Sequence, residues 1–134
     1  MTGKKIYIVD DDPITRELVE LLMQHEGYET ETFADGESVL QKLRTDTADL
    51  IILDIVMPGK NGFHVCKEIR KTSTVPIIML SNRNSDLDYA TGLSIGSDDY
   101  FTKPVNSLEL SMRVKSIFRR IDYCNADKGL VKST

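Results

Sequence analysis

The stretch Leu50-Ile51-Ile52-Leu53-Asp54 constrains the fold more than any other part of the chain. Four consecutive large apolar residues end abruptly in a carboxylate. A strand that is apolar on both faces suits the middle of a parallel sheet, where helices cover both sides. Asp54 then emerges at the carboxyl end of that strand, the place where open α/β sheets put their ligands. Alone, such an Asp reads first as an N-cap or a turn residue. The partners supplied by other segments decide against that reading.

The rest of the chain alternates short apolar runs with helical periodicity and contains no internal repeat. Ile6-Tyr7-Ile8-Val9 is a first buried strand, closed by Asp10-Asp11-Asp12-Pro13. Asp11 or Asp12 can cap the next helix, and Pro13 suits its first turn. That helix is expected to bring Ile14, Leu18, Leu21, Leu22 and His25 to one face, and Gly27 stops it. Tyr28 to Phe33 is a strand by its β-formers but too polar for the sheet centre, so it goes to an edge. Asp35-Gly36 begins a short helix with Val39, Leu40 and Leu43 inward. After the central strand come a loop through Gly59 and Gly62 and a helix from about Phe63 to Lys71. Pro76 to Ser81 is a third buried strand, ending in a hydroxyl.

A weak helix over Ser85 to Ile95, less stable for containing Gly92, precedes a polar edge strand, Asp98 to Thr102, and then Lys103-Pro104. The last helix, Ser107 to about Ile121, buries Leu110, Val114, Ile117, Phe118 and Ile121. From Asp122 to Thr134 the periodicity fades. Residues 1–121 are therefore read as one domain, and 122–134 as a tail or the start of a linker.

Five strands alternating with five helices predict a doubly wound, flavodoxin-like parallel sheet of order 2-1-3-4-5. This order puts the polar strands at the edges and makes the chain reverse between strands one and three. Asp10, Asp11, Asp54, Ser81 and Lys103 then converge on one edge of the sheet. Three carboxylates packed together repel, and a hard divalent cation resolves the conflict. Mg²⁺ is the expected ion, with Asp11 and Asp54 as direct ligands and Asp10 holding a metal-bound water. With a phosphoryl group on Asp54, the carboxylate is the nucleophile. The metal, Lys103 and the Ser81 hydroxyl stabilise charge on the phosphoryl oxygens.

Composition narrows the partners. The net charge of −4 argues against nucleic-acid binding by this segment itself. No apolar run is long enough to span a bilayer and no signal peptide is evident, so a cytoplasmic location is expected. The two cysteines, Cys66 and Cys124, lack metal-ligand spacing and read as free thiols.

These residues resemble a family, the receiver domain of two-component response regulators. The matching marks are Val9-Asp10-Asp11, Leu53-Asp54 with Met57-Pro58, Ser81, and Asp98-Asp99-Tyr100 with Lys103-Pro104. The resemblance runs from about Lys5 to Arg120. It implies that Asp54 accepts phosphate from a sensor histidine kinase, and that Asp11, Asp54 and the Val56 backbone carbonyl bind Mg²⁺. It also implies a cis Lys103-Pro104 peptide and a switch pair of Ser81 and Tyr100.

Gly96 through Arg120 looks most like the winged-helix (OmpR-type) subfamily. Its receivers dimerise through the fourth helix, fifth strand and fifth helix, and Asp98, Asp99, Glu109, Arg113, Lys115 and Arg120 match its charge-pair network by position. The resemblance implies a homodimer and a DNA-binding output domain outside this segment. Tyr89 and Asn82 depart from the pattern, Tyr89 where a basic residue is usual and Asn82 where Ala or Gly is usual.

Other readings give different expectations. An aspartate-nucleophile phosphatase needs a second Asp two positions after the first, where this chain has Val56. A flavin binder needs an anion nest after strand one, where this chain has three acids. A receiver-like interaction module that is never phosphorylated needs none of the complete acid, hydroxyl and lysine set. The chain is thus expected to catalyse its own phosphotransfer and dephosphorylation rather than to act as an enzyme on other substrates.

Overall fold

The computed structural model describes residues 3–57, 59, 61–81, 91 and 94–133, with backbone alone for 125–133. The elements in chain order are β1 (Lys5–Val9), α1 (Pro13–His25), β2 (Glu29–Phe33), α2 (Gly36–Lys42) and β3 (Leu50–Asp54). They continue with α3 (Gly62–Arg70), β4 (Ile77–Ser81), β5 (Asp99–Thr102) and α4 (Ser107–Ser133). The strands form one parallel sheet in the order β2-β1-β3-β4-β5. Most of the helix expected over Ser85 to Ile95 lies outside the described residues, as do Pro58, Asn82 and Tyr89. Thr91, Ser94 and Ile95 are helical.

Alternation along the three central strands builds two cores. Successive strand side chains point to opposite faces. Tyr7, Val9, Ile51, Leu53, Ile77 and Met79 therefore meet Val39 of α2 and Val65, Cys66 and Ile69 of α3. Ile6, Ile8, Leu50, Ile52, Ile78 and Leu80 meet Val19 and Met23 of α1 and Leu110, Val114, Ile117 and Phe118 of α4. Burying one such aliphatic side chain stabilises the fold by roughly 1.5–3 kcal/mol. The edge strands need less cover: β2 carries only Phe33 fully inward and β5 only Tyr100.

Two expectations need correction. In α1 the residues facing the sheet are Val19 and Met23, with Leu22 half-buried, while Ile14, Leu18, Leu21 and His25 are exposed. The helix carries two apolar stripes, and packing against Tyr28 and α4 selects the second. In α4 the helix does not end near Ile121 but runs to Ser133. Its packing against the core does stop at Ile121, and Asp122, Tyr123 and Cys124 are exposed. The backbone continues because no proline interrupts it and helical hydrogen bonds are local.

Local chemistry fixes each helix start. Asp12, Asp35 and Asn61 sit in extended conformation as N-caps of α1, α2 and α3 and accept from Ile14 N, Ser38 N and His64 N. A guanidinium clasp joins α3 to the entry of β5. Arg70 donates to the carbonyls of Gly96 at 2.8 Å and Ser73 at 3.3 Å, and to Asp98 Oδ2 at 3.1 Å. Asp98 Oδ2 also accepts from Ile77 N at 2.8 Å, which ties the start of β4 to the same point.

Candidate functional site

Each acid of the cluster sits where its strand stops. Asp10 follows β1, and its backbone N–H donates to Phe33 O at 3.0 Å, extending the sheet by one bond. Its Oδ1 accepts from Asp12 N at 2.9 Å, which curls the loop back over the strand end. Asp12 is the cap of α1, and its carboxylate also accepts from Thr15 Oγ1 at 2.6 Å. The capping alternative is thereby resolved in favour of Asp12, and Asp11 is the exposed acid of the group. Asp54 closes β3 and is 3% exposed.

The peptide after Asp54 is held by close approach of α3. Gly62 N donates to Ile55 O at 2.7 Å, and a Cβ on Gly62 would lie 2.6 Å from Ile55 Cα and nearer still to the Asp54 carbonyl oxygen. Only glycine fits there.

Carboxylate oxygens of Asp10, Asp11 and Asp54 lie within 4.8 Å of one another. Lys103, which follows β5, reaches into the group. Its Nζ lies 2.9 Å from Asp10 Oδ2 and 3.4 Å from Asp54 Oδ1. Lys103 N donates to Ser81 O at 2.7 Å, and the Lys103-Pro104 peptide is cis. Burial, and then the charge of Asp10, push the Asp54 carboxyl up to about 7, against the pull of Lys103. Burial would lower the Lys103 ammonium, but contact with Asp10 and the charges of Asp54 and Asp10 outweigh it and the net shift is upward. Among the described residues, Lys103 is the one cation ion-paired with this group of three acids.

The donor set fits a hard cation. All the convergent side-chain ligands are carboxylate oxygens, which magnesium and calcium prefer. Asp10 Oδ2 is buried, and although it lies in an ion pair with Lys103 it has no aligned hydrogen bond. An acceptor in that position has a lone pair to offer a cation or its water. The site opens into a crevice of about 580 Å³ lined by Asp11, Asp12, Thr15, Asp54, Val56, Lys103 and Pro104. A larger cleft of about 830 Å³ lies between α2 and α3; among the described residues its acids, Glu37, Asp46 and Glu68, do not converge as the three carboxylates do.

The sequence-derived site residues fall into three groups. Asp10, Asp11, Asp54 and Lys103 meet, and Val56 lines the crevice beside them. Ser81 closes β4 at the same end of the sheet and is fully buried, while Tyr100 packs inward in the core on the α2–α3 side. The six charged residues matched to a dimer face lie at the entry of β5, on β5 and along α4. Asp98 pairs with Arg70, Asp99 with Arg113 at 3.0 Å, and Lys115 with Glu26 of the α1 C-cap at 2.7 Å. Glu109 and Arg120 are exposed on α4.

Two residues were not visible in the sequence. Arg16, on the first turn of α1, donates from Nη1 to the Asp10 carbonyl at 2.7 Å. Gly62 reads as a loop glycine and proves to be the contact behind Asp54. The only sequence signal for either is nearness to the acids.

Residues 6–115 match the family model for the response regulator receiver domain. The chain is a response regulator receiver domain. Among its relatives, this receiver is 42% identical over 123 residues to the regulatory protein VanRc of Enterococcus gallinarum, covering 92% of this chain and 53% of the relative. It is 38% identical over 133 residues to the probable transcriptional regulator ycf27 of Porphyridium aerugineum, covering 99% and 55%. The receiver therefore spans about half the length of the curated relatives it matches. Among solved structures, the BeF3-activated receiver domain of DrrB, from a Thermotoga maritima OmpR/PhoB homolog, superposes with a TM-score of 0.83. Identity there is 30%, with 88% of this chain and 99% of that one covered. Among the described residues of the receiver, no helix is long and apolar enough to cross a membrane.

Proposed function

We propose that this receiver is a phosphorylation-controlled switch whose Asp54 takes a phosphoryl group from a sensor histidine kinase, with Mg²⁺ held by Asp11, Asp54 and the Val56 carbonyl. The observation that carries the reading is the meeting of three carboxylates and one half-buried lysine at the ends of β1, β3 and β5. An Asp54 carboxylate oxygen attacks phosphorus in line. The bond from phosphorus to the donor nitrogen breaks, and its electron pair leaves with the imidazole. Lys103 Nζ, already 3.4 Å from Asp54 Oδ1, meets the charge on the transferred group, and the Ser81 hydroxyl is the second donor. Magnesium, when bound, supplies further positive charge to the phosphoryl oxygens. Asp10 would hold a water of that ion.

The donor is a protein because the surface beside the crevice suits one. Ile14, Leu18 and Leu21 form an exposed apolar ridge on α1, and Val56 is exposed at the rim. A ridge at i, i+4 and i+7 is what a partner helix can cover. Hydrolysis of the phosphoaspartate resets the switch. The chain turns over no external substrate. Phosphorylation shifts the surface made by the helix after β4, β5 and α4, promotes homodimer formation and controls a transcription-regulating output domain in the cytoplasm. The name of one relative, the probable transcriptional regulator ycf27, supports that output.

Acetyl phosphate with Mg²⁺ is expected to label the chain once, and Asp54→Ala to abolish the label. Label persisting on the variant overturns the assignment. Transfer from a histidine kinase separates this reading from that of an unphosphorylated interaction module.

A further inference from the structure

We propose that Arg16 is a positioning residue for the acid cluster, which orients the Asp10–Asp11 peptide from α1 and thereby aims both carboxylates at the cation. The inference rests on the cation site proposed above. The Asp10 carbonyl belongs to the peptide plane that joins Asp10 to Asp11, and a peptide plane moves as a unit. Arg16 Nη1 donates to that oxygen at 2.7 Å, so it holds the plane from α1. The other bonds to Asp10 hold different atoms. Its N–H is held by Phe33 O, and its Oδ1 by Asp12 N. Without Arg16 the plane after Asp10 is free to tilt, and Asp11 Cα tilts with it.

Arg16 is itself well anchored. Its backbone N donates to Asp12 O at 2.9 Å within the first turn of α1. That turn is fixed by the Asp12 cap and by Pro13 at its first position. The side chain is half-buried and, among the described residues, makes no ion pair. A salt bridge on the surface therefore does not explain it.

Charge and geometry make opposite forecasts, which gives the inference a sharp test. A guanidinium near a cation site repels the cation, so if charge were its only effect, Arg16→Gln would tighten binding. If Arg16 positions the ligands, Arg16→Gln weakens binding, as loss of a group supporting metal ligands does, by about 10-fold. Arg16→Lys keeps the charge but loses the rigid fork, and is expected to weaken binding by about threefold, between the other two.

The experiment titrates Mg²⁺ into the full chain, following the Asp11 amide by NMR, for wild type, Arg16→Gln, Arg16→Lys and Asp11→Asn. Labelling by acetyl phosphate is measured alongside. In Arg16→Gln the Mg²⁺ concentration for half-maximal labelling rises by the same factor as the dissociation constant, while the rate at saturating Mg²⁺ stays within about twofold of wild type. Binding by Arg16→Gln as tight as wild type or tighter, with Asp11→Asn still defective, overturns the inference and leaves the site intact. Wild-type binding by Asp11→Asn overturns the site reading instead. Should Arg16→Gln not fold, Arg16→Lys decides, since wild-type affinity there refutes positioning and weakened affinity supports it.

Discussion

Gly62→Ala tests how tightly the floor of the pocket is built. The added methyl carbon would lie 2.6 Å from Ile55 Cα and closer to the Asp54 carbonyl oxygen, both of them backbone atoms that cannot swing away. Ordinary contact begins at 3.4 Å, so α3 and the end of β3 must separate by nearly an ångström. Overpacking of this kind costs about 1–3 kcal/mol, and the upper half of that range is expected because nothing flexible can yield. For a domain of this size that is a fall in Tm of roughly 6–12 °C. The strain falls on the peptide of Asp54, so phosphoryl acceptance and Mg²⁺ affinity drop along with stability. Gly59→Ala is the control. It has a positive φ of 77° but open space around it, so it pays only for backbone strain, about 1 kcal/mol. Calorimetry of both variants, with acetyl phosphate labelling, reads the difference. A Gly62→Ala protein melting within about 2 °C of wild type would refute the packing argument.

Lys103→Met leaves Asp10 and Asp54 facing each other without a counter-charge, and a loss of about 3 kcal/mol is expected. Mg²⁺ should recover part of it, which melting curves with and without chelator will show. Arg70→Met opens the clasp on Gly96 and Asp98, at a cost of about 2 kcal/mol, and hydrogen exchange should quicken at residues 96–99 with Asp54 labelling retained. Thr47 N–H, with contacts from Lys5 and Tyr7, holds the Asp46 carboxyl below the usual carboxylate range. Its contribution is thus present above that range and lost as pH falls through the lowered value. Asp46→Asn should therefore bring urea midpoints at pH 7 and near pH 3 closer together. Of the two thiols, Cys124 should react at once with Ellman's reagent. Cys66, buried and with its pKa pushed up by that burial, should react only on unfolding.

The sheet could be read from the chain because its signals are local. Leu50–Leu53 and Ile77–Leu80 are apolar on both faces, and Glu29–Thr32 is polar, which orders centre and edge without knowledge of any contact. The acids and Lys103 were legible for the same reason, since each terminates a run. The inner face of α1 was not. Ile14, Leu18 and Leu21 have helical spacing as good as that of Val19 and Met23, and only packing against α4 chooses between them. Arg16, Arg70 and the Lys115–Glu26 pair were hidden for a different reason. Their partners are named by the fold, from positions up to 89 residues away. The extent of α4 was hidden because the apolar period ends where core contact ends, whereas a helix ends where its backbone does.

The pocket draws on residues 10, 54 and 103, which stand at the ends of β1, β3 and β5. A chain without β5 and Lys103 has the acids without their counter-charge and a sheet without one of its edge strands. On the function proposed above, phosphoryl acceptance is therefore expected only once β5 has docked, and it reports on the closure of the sheet.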